Sequence, residues 1–265
     1  MKIAVCIKQV PTREWQPRLR DDKRWIRDQD VSYEMNEPDA YALEESLRLR
    51  EKHGGEVVVC SAGPARVQQV LREALARGAD RALHVEDDSL GSADASVGAG
   101  ALAGAMAGEQ FDLVLTGLQS DDQGHGQTGV VLAECLGVPH STIIMEIQVQ
   151  APEGDAASAD GQSPRVRVKR ELEGGWFQWL TMPLPALLTI QSGINQLRYA
   201  TLKGIMAAKK KEIRKVPRAA GLRPSQQIVS LAVPTRSKQT EMIVGSASDA
   251  ARELVRRLRD EVRAL

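Results

Sequence analysis

A regular alternation constrains this chain more than any other feature. In its first 150 residues, the short apolar runs KIAVCIKQV, EVVVCSAG, RALHVE and FDLVLTG take turns with longer helical patterns. Those patterns are AYALEESLRLREKHG, ARVQQVLREALARGA and ADASVGAGALAGAMAG. In the first, Ala40, Leu43, Leu47 and more loosely Arg50 keep the i, i+3, i+4 spacing of one helix face. Gly54 and Gly55 then close the helix. In the second, Pro64 stands where a first helical turn tolerates it and Gly78 ends the segment. Alternating strands and helices need crossovers, and strands that are apolar throughout are buried on both faces. The expectation is an α/β fold built on a doubly wound, mainly parallel sheet.

Beyond residue 150 the pattern changes. APEGDAASADGQSP is small and polar, and residues 150–164 read as a mobile loop. TIIMEIQVQ and RVRVKREL alternate with period two, and WFQWLTM follows a Glu-Gly-Gly turn. Together they predict an antiparallel extension of the same sheet. PALLTI, residues 185–190, is one more buried strand. Residues 213–234 show no clear period, and SDAARELVRRLRDEVRAL forms an amphipathic helix with Ala251, Leu254, Leu258 and Val262 on one stripe.

Lys plus Arg and Asp plus Glu both number 35, which gives no basic excess for a nucleic-acid binder. No apolar run reaches the length of an integral membrane segment. The opening MKIAVCIKQVP carries Lys8 inside its apolar run and reads as a first strand, not a signal peptide. Cys6, Cys60 and Cys135 are far apart, with no metal-ligand spacing, so no metal site and a reducing, cytoplasmic setting are expected.

The loop TGLQSDDQGHGQTG, residues 116–129, holds four glycines, two aspartates, a histidine and three glutamines between a buried strand and a helix. Ligands of parallel sheets sit beyond the carboxyl ends of the strands, beside helix N-termini. Gly124, Gly126 and Gly129 let backbone approach a ligand, while Gln127 and Thr128 open a helix whose free amides favour an anion. His125 reads as a solvated loop residue. SAGPAR, residues 61–66, joins another strand to its helix in the same way, and Asn36 of NEP either caps a helix or meets a base or ribose. Neither GxGxxG nor GxxxxGK[ST] occurs, so this is not an ordinary dinucleotide fingerprint or a P-loop.

KIAVCIKQVP, MNEPDAYALEESLRLREK, SAGPARVQQVLREALARGADRALHVE, TGLQSDDQGHGQTG and LRYATLKGIMAAKKKEI, in that order, resemble the β subunit of electron transfer flavoprotein over residues 1–215. The resemblance implies a Rossmann-like, adenine-nucleotide-binding fold and an obligate heterodimer with an α subunit that holds most of a redox FAD. It implies an AMP of structural role in this subunit, contacted by Cys6, Asn36, Glu37, Pro38, Asp39, Ala62, Gly117, Asp121, Asp122, Gly124, Gly126, Gln127 and Thr128. Arg13 and Pro38 would face the flavin. ATLKGIM matches the family's recognition loop, with Leu202 as the apolar anchor for partner dehydrogenases and Ile205 and Met206 beside it. The pattern alone also allows these three to be core residues of a short helix. Lys209, Lys210 and Lys211 would steer acidic partners or simply be solvated.

The implied domain organisation is a nucleotide-binding domain over 1–190, a recognition segment over 191–215, and an arm over 216–265 packing on the α subunit. Electrons would pass from flavin dehydrogenases to a quinone-linked oxidoreductase, with no side chain of this subunit acting as a catalyst. Two alternatives remain. In bifurcating relatives a second FAD fills the AMP site and takes hydride from NADH, making the complex an enzyme. Outside the family, the chain would be a stand-alone adenine-nucleotide sensor or hydrolase.

Overall fold

The apolar runs at the start become β1 (Lys2–Cys6), β2 (Gln9–Pro11) and β3 (Tyr33–Met35), followed by α1 (Glu37–His53). Then come β4 (Glu56–Gly63), α2 (Gln68–Arg77), β5 (Arg81–Glu86), α3 (Ala95–Met106), β6 (Leu113–Gly117) and α4 (Thr128–Leu136). The later elements are β7 (His140–Gln150), β8 (Arg165–Glu171), β9 (Phe177–Pro183), β10 (Ala186–Ile190), α5 (Leu202–Ala208), β11 (Ile213–Val216) and α6 (Ala247–Asp260). The computed structural model describes residues 1–14, 16–29, 31–150, 164–234 and 240–264. Residues 151–163, where the sequence predicts a mobile loop, lie outside that set. The described chain divides into two compact units, Met1–Leu231 and Ala232–Leu265.

The first unit is built on a nine-stranded sheet in the order β11-β5-β4-β1-β6-β10-β7-β8-β9. From β11 to β7 every neighbouring pair is parallel, and β8 and β9 add the expected antiparallel extension. The two-residue side-chain period of a strand explains how the sheet is covered. Ile3 and Val5 of β1 join the cluster that includes Leu43 and Leu47 of α1 and Leu71 of α2. Ala4 and Cys6 point the other way, into the cluster with Leu102 of α3 and Leu132 of α4. At the amino edge, Glu109 accepts from Lys2 (2.8 Å) and Arg81 (2.6 Å) and also pairs with Arg214, tying β1, β5 and β11 together.

Two findings differ from the sequence expectation. The run KIAVCIKQV is not one strand: β1 ends at Cys6, and Gln9–Pro11 pairs instead with Tyr33–Met35 in a small antiparallel sheet. The tail after residue 213 is not patternless throughout, because Ile213–Val216 extends the main sheet beside β5. Four residues with one charged pair in the middle are too few to display a strand period. The tail then crosses α3, where Leu222 and Ala219 pack against Gly100 and Gly104: a Cβ at these positions would lie 2.6 Å from Leu222 Cδ2 and 3.0 Å from Ala219 Cβ. In the second unit, α6 is capped by Ser246 and buries no side chain.

Segment 191–208 leaves the carboxyl end of β10 and runs along α1, so that α5 comes to rest at the amino edge against the end of α2. Arg198 bridges Glu44 (2.7 Å) and Glu51 (2.6 Å) of α1. Thr201 caps α5, and Arg72 of α2 donates to the Ala208 and Lys211 carbonyls, both at 2.6 Å. Lys211 turns inward to the Leu75 and Ala79 carbonyls at the end of α2, so only Lys209 and Lys210 of the basic run are exposed. Gly204 permits this packing, since a Cβ there would lie 2.3 Å from the Ala76 carbonyl oxygen. Gly204→Ala is therefore expected to lower the unfolding free energy by about 1–3 kcal/mol, the usual cost of overpacking, measured in urea. Wild-type stability in that variant would contradict the close packing of α5 on α2.

Candidate functional site

The crossovers of a doubly wound sheet leave a crevice where neighbouring strands send their connections to opposite faces. β1 lies at such a point: α1 leads from it to β4 on one side, and β6 on its other side is reached through α3. A cavity of about 140 Å³ opens there. A single water needs only about 10–15 Å³ by the same kind of measure, so there is room for an organic ligand.

Five segments wall it. The end of β1 contributes Cys6, Ile7 and Lys8; Asn36 and Asp39 come from the start of α1, and Ala62 from β4. The approach to α3 supplies Leu90 and Ala93 to Ala95, with Gly98 and Leu102 behind them. The loop from Thr116 to Gly129 closes the rest. At its end, α4 begins without a side-chain cap from Gln127, in contrast to α3, α5 and α6, which Asp94, Thr201 and Ser246 cap. The first-turn amides of α4, like those of α1 and α2, thus have no side-chain cap, and such amides favour an anion.

Asp39 holds the base of the site together. Its two oxygens accept from the backbone N–H of Lys8 (2.7 Å) and of Gly117 (2.9 Å), joining the ends of β1 and β6 to the first turn of α1. Gly117 must be glycine for this contact, because a Cβ would lie 2.3 Å from Asp39 Oδ1 and 2.7 Å from Pro38 Cβ. Burial pushes the Asp39 carboxyl up to about 7, against the hydrogen bonds from Lys8, Asn36 and Gly117 that hold it down. Asn36, itself buried, does not cap α1 with its side chain; its amide donates to the Gln119 carbonyl (3.0 Å) and accepts from Asp121 N–H (2.9 Å). Burial raises the Cys6 thiol well above its ordinary value, which makes it a poor nucleophile and an apolar wall.

Of the residues anticipated from sequence, Cys6, Asn36, Asp39, Ala62, Gly117, Gly126, Gln127 and Thr128 line the cavity. Glu37, Pro38, Asp121, Asp122 and Gly124 lie outside its lining. Glu37 and Asp121 both turn to Arg13, Asp122 pairs with Lys8 (2.6 Å), and Pro38 is buried under Gly117. Gly124 has φ +65° and donates to the Ser120 carbonyl, shaping the loop. His125 is exposed, as expected of a loop residue, yet it borders the cavity. Sequence reasoning missed Lys8 and Asp94. With β1 ending at Cys6, Lys8 stands just beyond a strand's carboxyl end, and Asp94 caps a helix that follows β5; both positions follow from the crossover rule.

Leu202 is 84% exposed, Met206 63% and Ile205 44%, and Tyr199 beside them is exposed as well. The core-helix alternative for these residues therefore does not hold. Among the described residues, no helix is long and apolar enough to cross a membrane.

A family model described as the electron transfer flavoprotein domain matches residues 24–220. The chain is 35% identical to the electron transfer flavoprotein subunit beta of Methylophilus methylotrophus, over 96% of this chain and 97% of that one. It is 34% identical to the mitochondrial subunit of Oryza sativa subsp. japonica over the full length of both. With the subunit of Bacillus subtilis it shares 31% identity over 91% of each chain.

The state of Asp39 gives a pH dependence. Between about pH 4 and 7 an unfolded chain has released this proton while the folded chain keeps it, so stability from this group falls as pH rises through that window and then levels off. Asp39→Asn removes that slope, and below pH 4 it costs about 1–3 kcal/mol because an amide N–H₂ now faces a backbone N–H. Denaturant titrations at several pH values measure both. An unchanged slope in the variant would contradict the assignment.

Proposed function

The chain belongs to the electron transfer flavoprotein β-subunit family, and on that premise we propose that it binds AMP in the cavity above β1 while pairing with an α subunit that carries the redox FAD. The observation that carries this reading is the cavity itself. It lies at the carboxyl edge of the sheet, has apolar walls at Cys6, Ala62, Leu90 and Leu102, and ends in the uncapped amides of α4. An adenosine fits the apolar walls, and a phosphate fits the amides beside Gln127 and Thr128, where Gly126 takes φ +62° and brings backbone close. The donor set suits a monoanionic or dianionic phosphate without a metal ligand cluster. This chain's residues bind and orient the nucleotide, and the flavin, when bound, supplies the electron transfer. Arg13, exposed on this rim beside Glu37 and Asp121, would meet the flavin. The arm and α6 pack on the α subunit.

Dehydrogenases dock on α5. A leucine exposed to this degree on a short helix is held outward by the Arg198 and Arg72 anchors, the arrangement an interface anchor requires. The electrons then pass to a quinone-linked oxidoreductase.

Co-expression with the α chain, native purification and mass analysis of acid-released nucleotides test the first part. One FAD and one AMP per heterodimer is the expected result; two FAD and no AMP would replace it with NADH-driven bifurcation, and ATP without an α chain would remove the assignment. For the second part, Leu202→Arg should raise the KM for a dehydrogenase donor by roughly tenfold or more, as loss of an interface anchor does, with bound nucleotide unchanged. A wild-type KM would rule out docking through Leu202.

A further inference from the structure

Lys8 stands at the cavity wall, yet the hydrogen bonds of its ammonium run to the loop that covers the cavity. Its ammonium donates to Ser120 Oγ (3.2 Å), Asp122 Oδ1 (2.6 Å) and Gln123 Oε1 (3.1 Å). A lysine has three protons to donate, so this set is fully used within one short turn more than a hundred residues away in sequence. The Gly124 N–H closes that turn on the Ser120 carbonyl at 2.8 Å. The backbone of Lys8 is fixed in turn by Asp39, and the other grip on the loop is the Asn36 amide.

We propose that Lys8 is a latch. It holds residues 118–124 over the cavity and sets how long an adenine nucleotide stays bound, without itself contacting the phosphate. This deepens, and rests on, the nucleotide reading given above. A cation already satisfied by a carboxylate and two further acceptors has no proton left for a ligand. The Lys8 and Asp122 side chains are 37% and 21% exposed, and a pair this close to solvent adds little to global stability. Its effect falls instead on local opening of the loop, which is a separate and smaller equilibrium.

The test uses the full chain co-purified with its α subunit, stripped of nucleotide, in wild-type, Lys8→Met and Lys8→Arg forms. Hydrogen exchange reports the amides of 118–124, and stopped-flow dissociation is followed for AMP and for adenosine. In Lys8→Met the loop amides exchange faster, AMP and adenosine both leave about tenfold faster, and the unfolding midpoint of the ligand-free protein stays put. Lys8→Arg restores part of the effect, since a planar guanidinium reaches the same acceptors with poorer geometry. Asp122→Asn, which loosens the same turn from the other side, shifts both readouts in the same direction and serves if Lys8→Met does not fold. Unchanged exchange and unchanged dissociation would overturn the latch. Faster loss of AMP but not of adenosine would overturn it too, by making Lys8 a phosphate ligand. If the wild type binds neither ligand but Lys8→Met still speeds loop exchange, the nucleotide reading fails and the latch stands as a property of the loop.

Discussion

The carboxyl group of Asp39 is the contact on which the rest of the site depends. Two adjacent strands, β1 and β6, end at one edge of the sheet, where the backbone N–H groups of Lys8, two residues past β1, and of Gly117, the last of β6, need acceptors. Asp39 takes both, and in doing so draws the first turn of α1 onto the strand ends. The cost is a buried acid, visible in its raised titration point. The gain is geometric: Lys8 and Gly117 are fixed at the mouth of the crevice, and the covering loop is gripped on either side by Lys8 and Asn36. Burying a polar group without such partners would be unfavourable, so the two N–H donors and the carboxyl require each other.

The same sheet separates the cavity from the exposed helix α5. The cavity is at the carboxyl edge, whereas α5 rests on the end of α2 at the amino edge, with Lys211 in contact with the Leu75 and Ala79 carbonyls. Changes at Leu202 and changes at Asp39 share no partner among the described residues, and effects at such distant sites add rather than couple.

Much of this was legible in the sequence, for identifiable reasons. Strands buried on both faces and amphipathic helices have strong periods, so the parallel sheet, its antiparallel extension and the buried strand PALLTI were all readable. The loop that walls the cavity was readable as a feature because glycines and polar residues interrupt an apolar strand and helix beyond a strand's carboxyl end. What was not legible rested on contacts between distant residues. Nothing local marks Cys6 as the end of β1, because Ile7 and Val10 are as apolar and as buried as the strand itself. Lys8 consequently looked like an interruption in a strand and not like a residue of the site. β11 gains its strand character only from β5, and the pairing of Glu37 and Asp121 with Arg13 and of Asp122 with Lys8 joins residues far apart in the chain.

The most direct measurement of the central claim is photolabelling of the native complex with 8-azido-AMP, followed by peptide mapping. Label is expected within 93–102 and 116–129 of this subunit, abolished by excess AMP. Label confined to the α subunit, or to segments of this chain away from the carboxyl edge of the sheet, would contradict it.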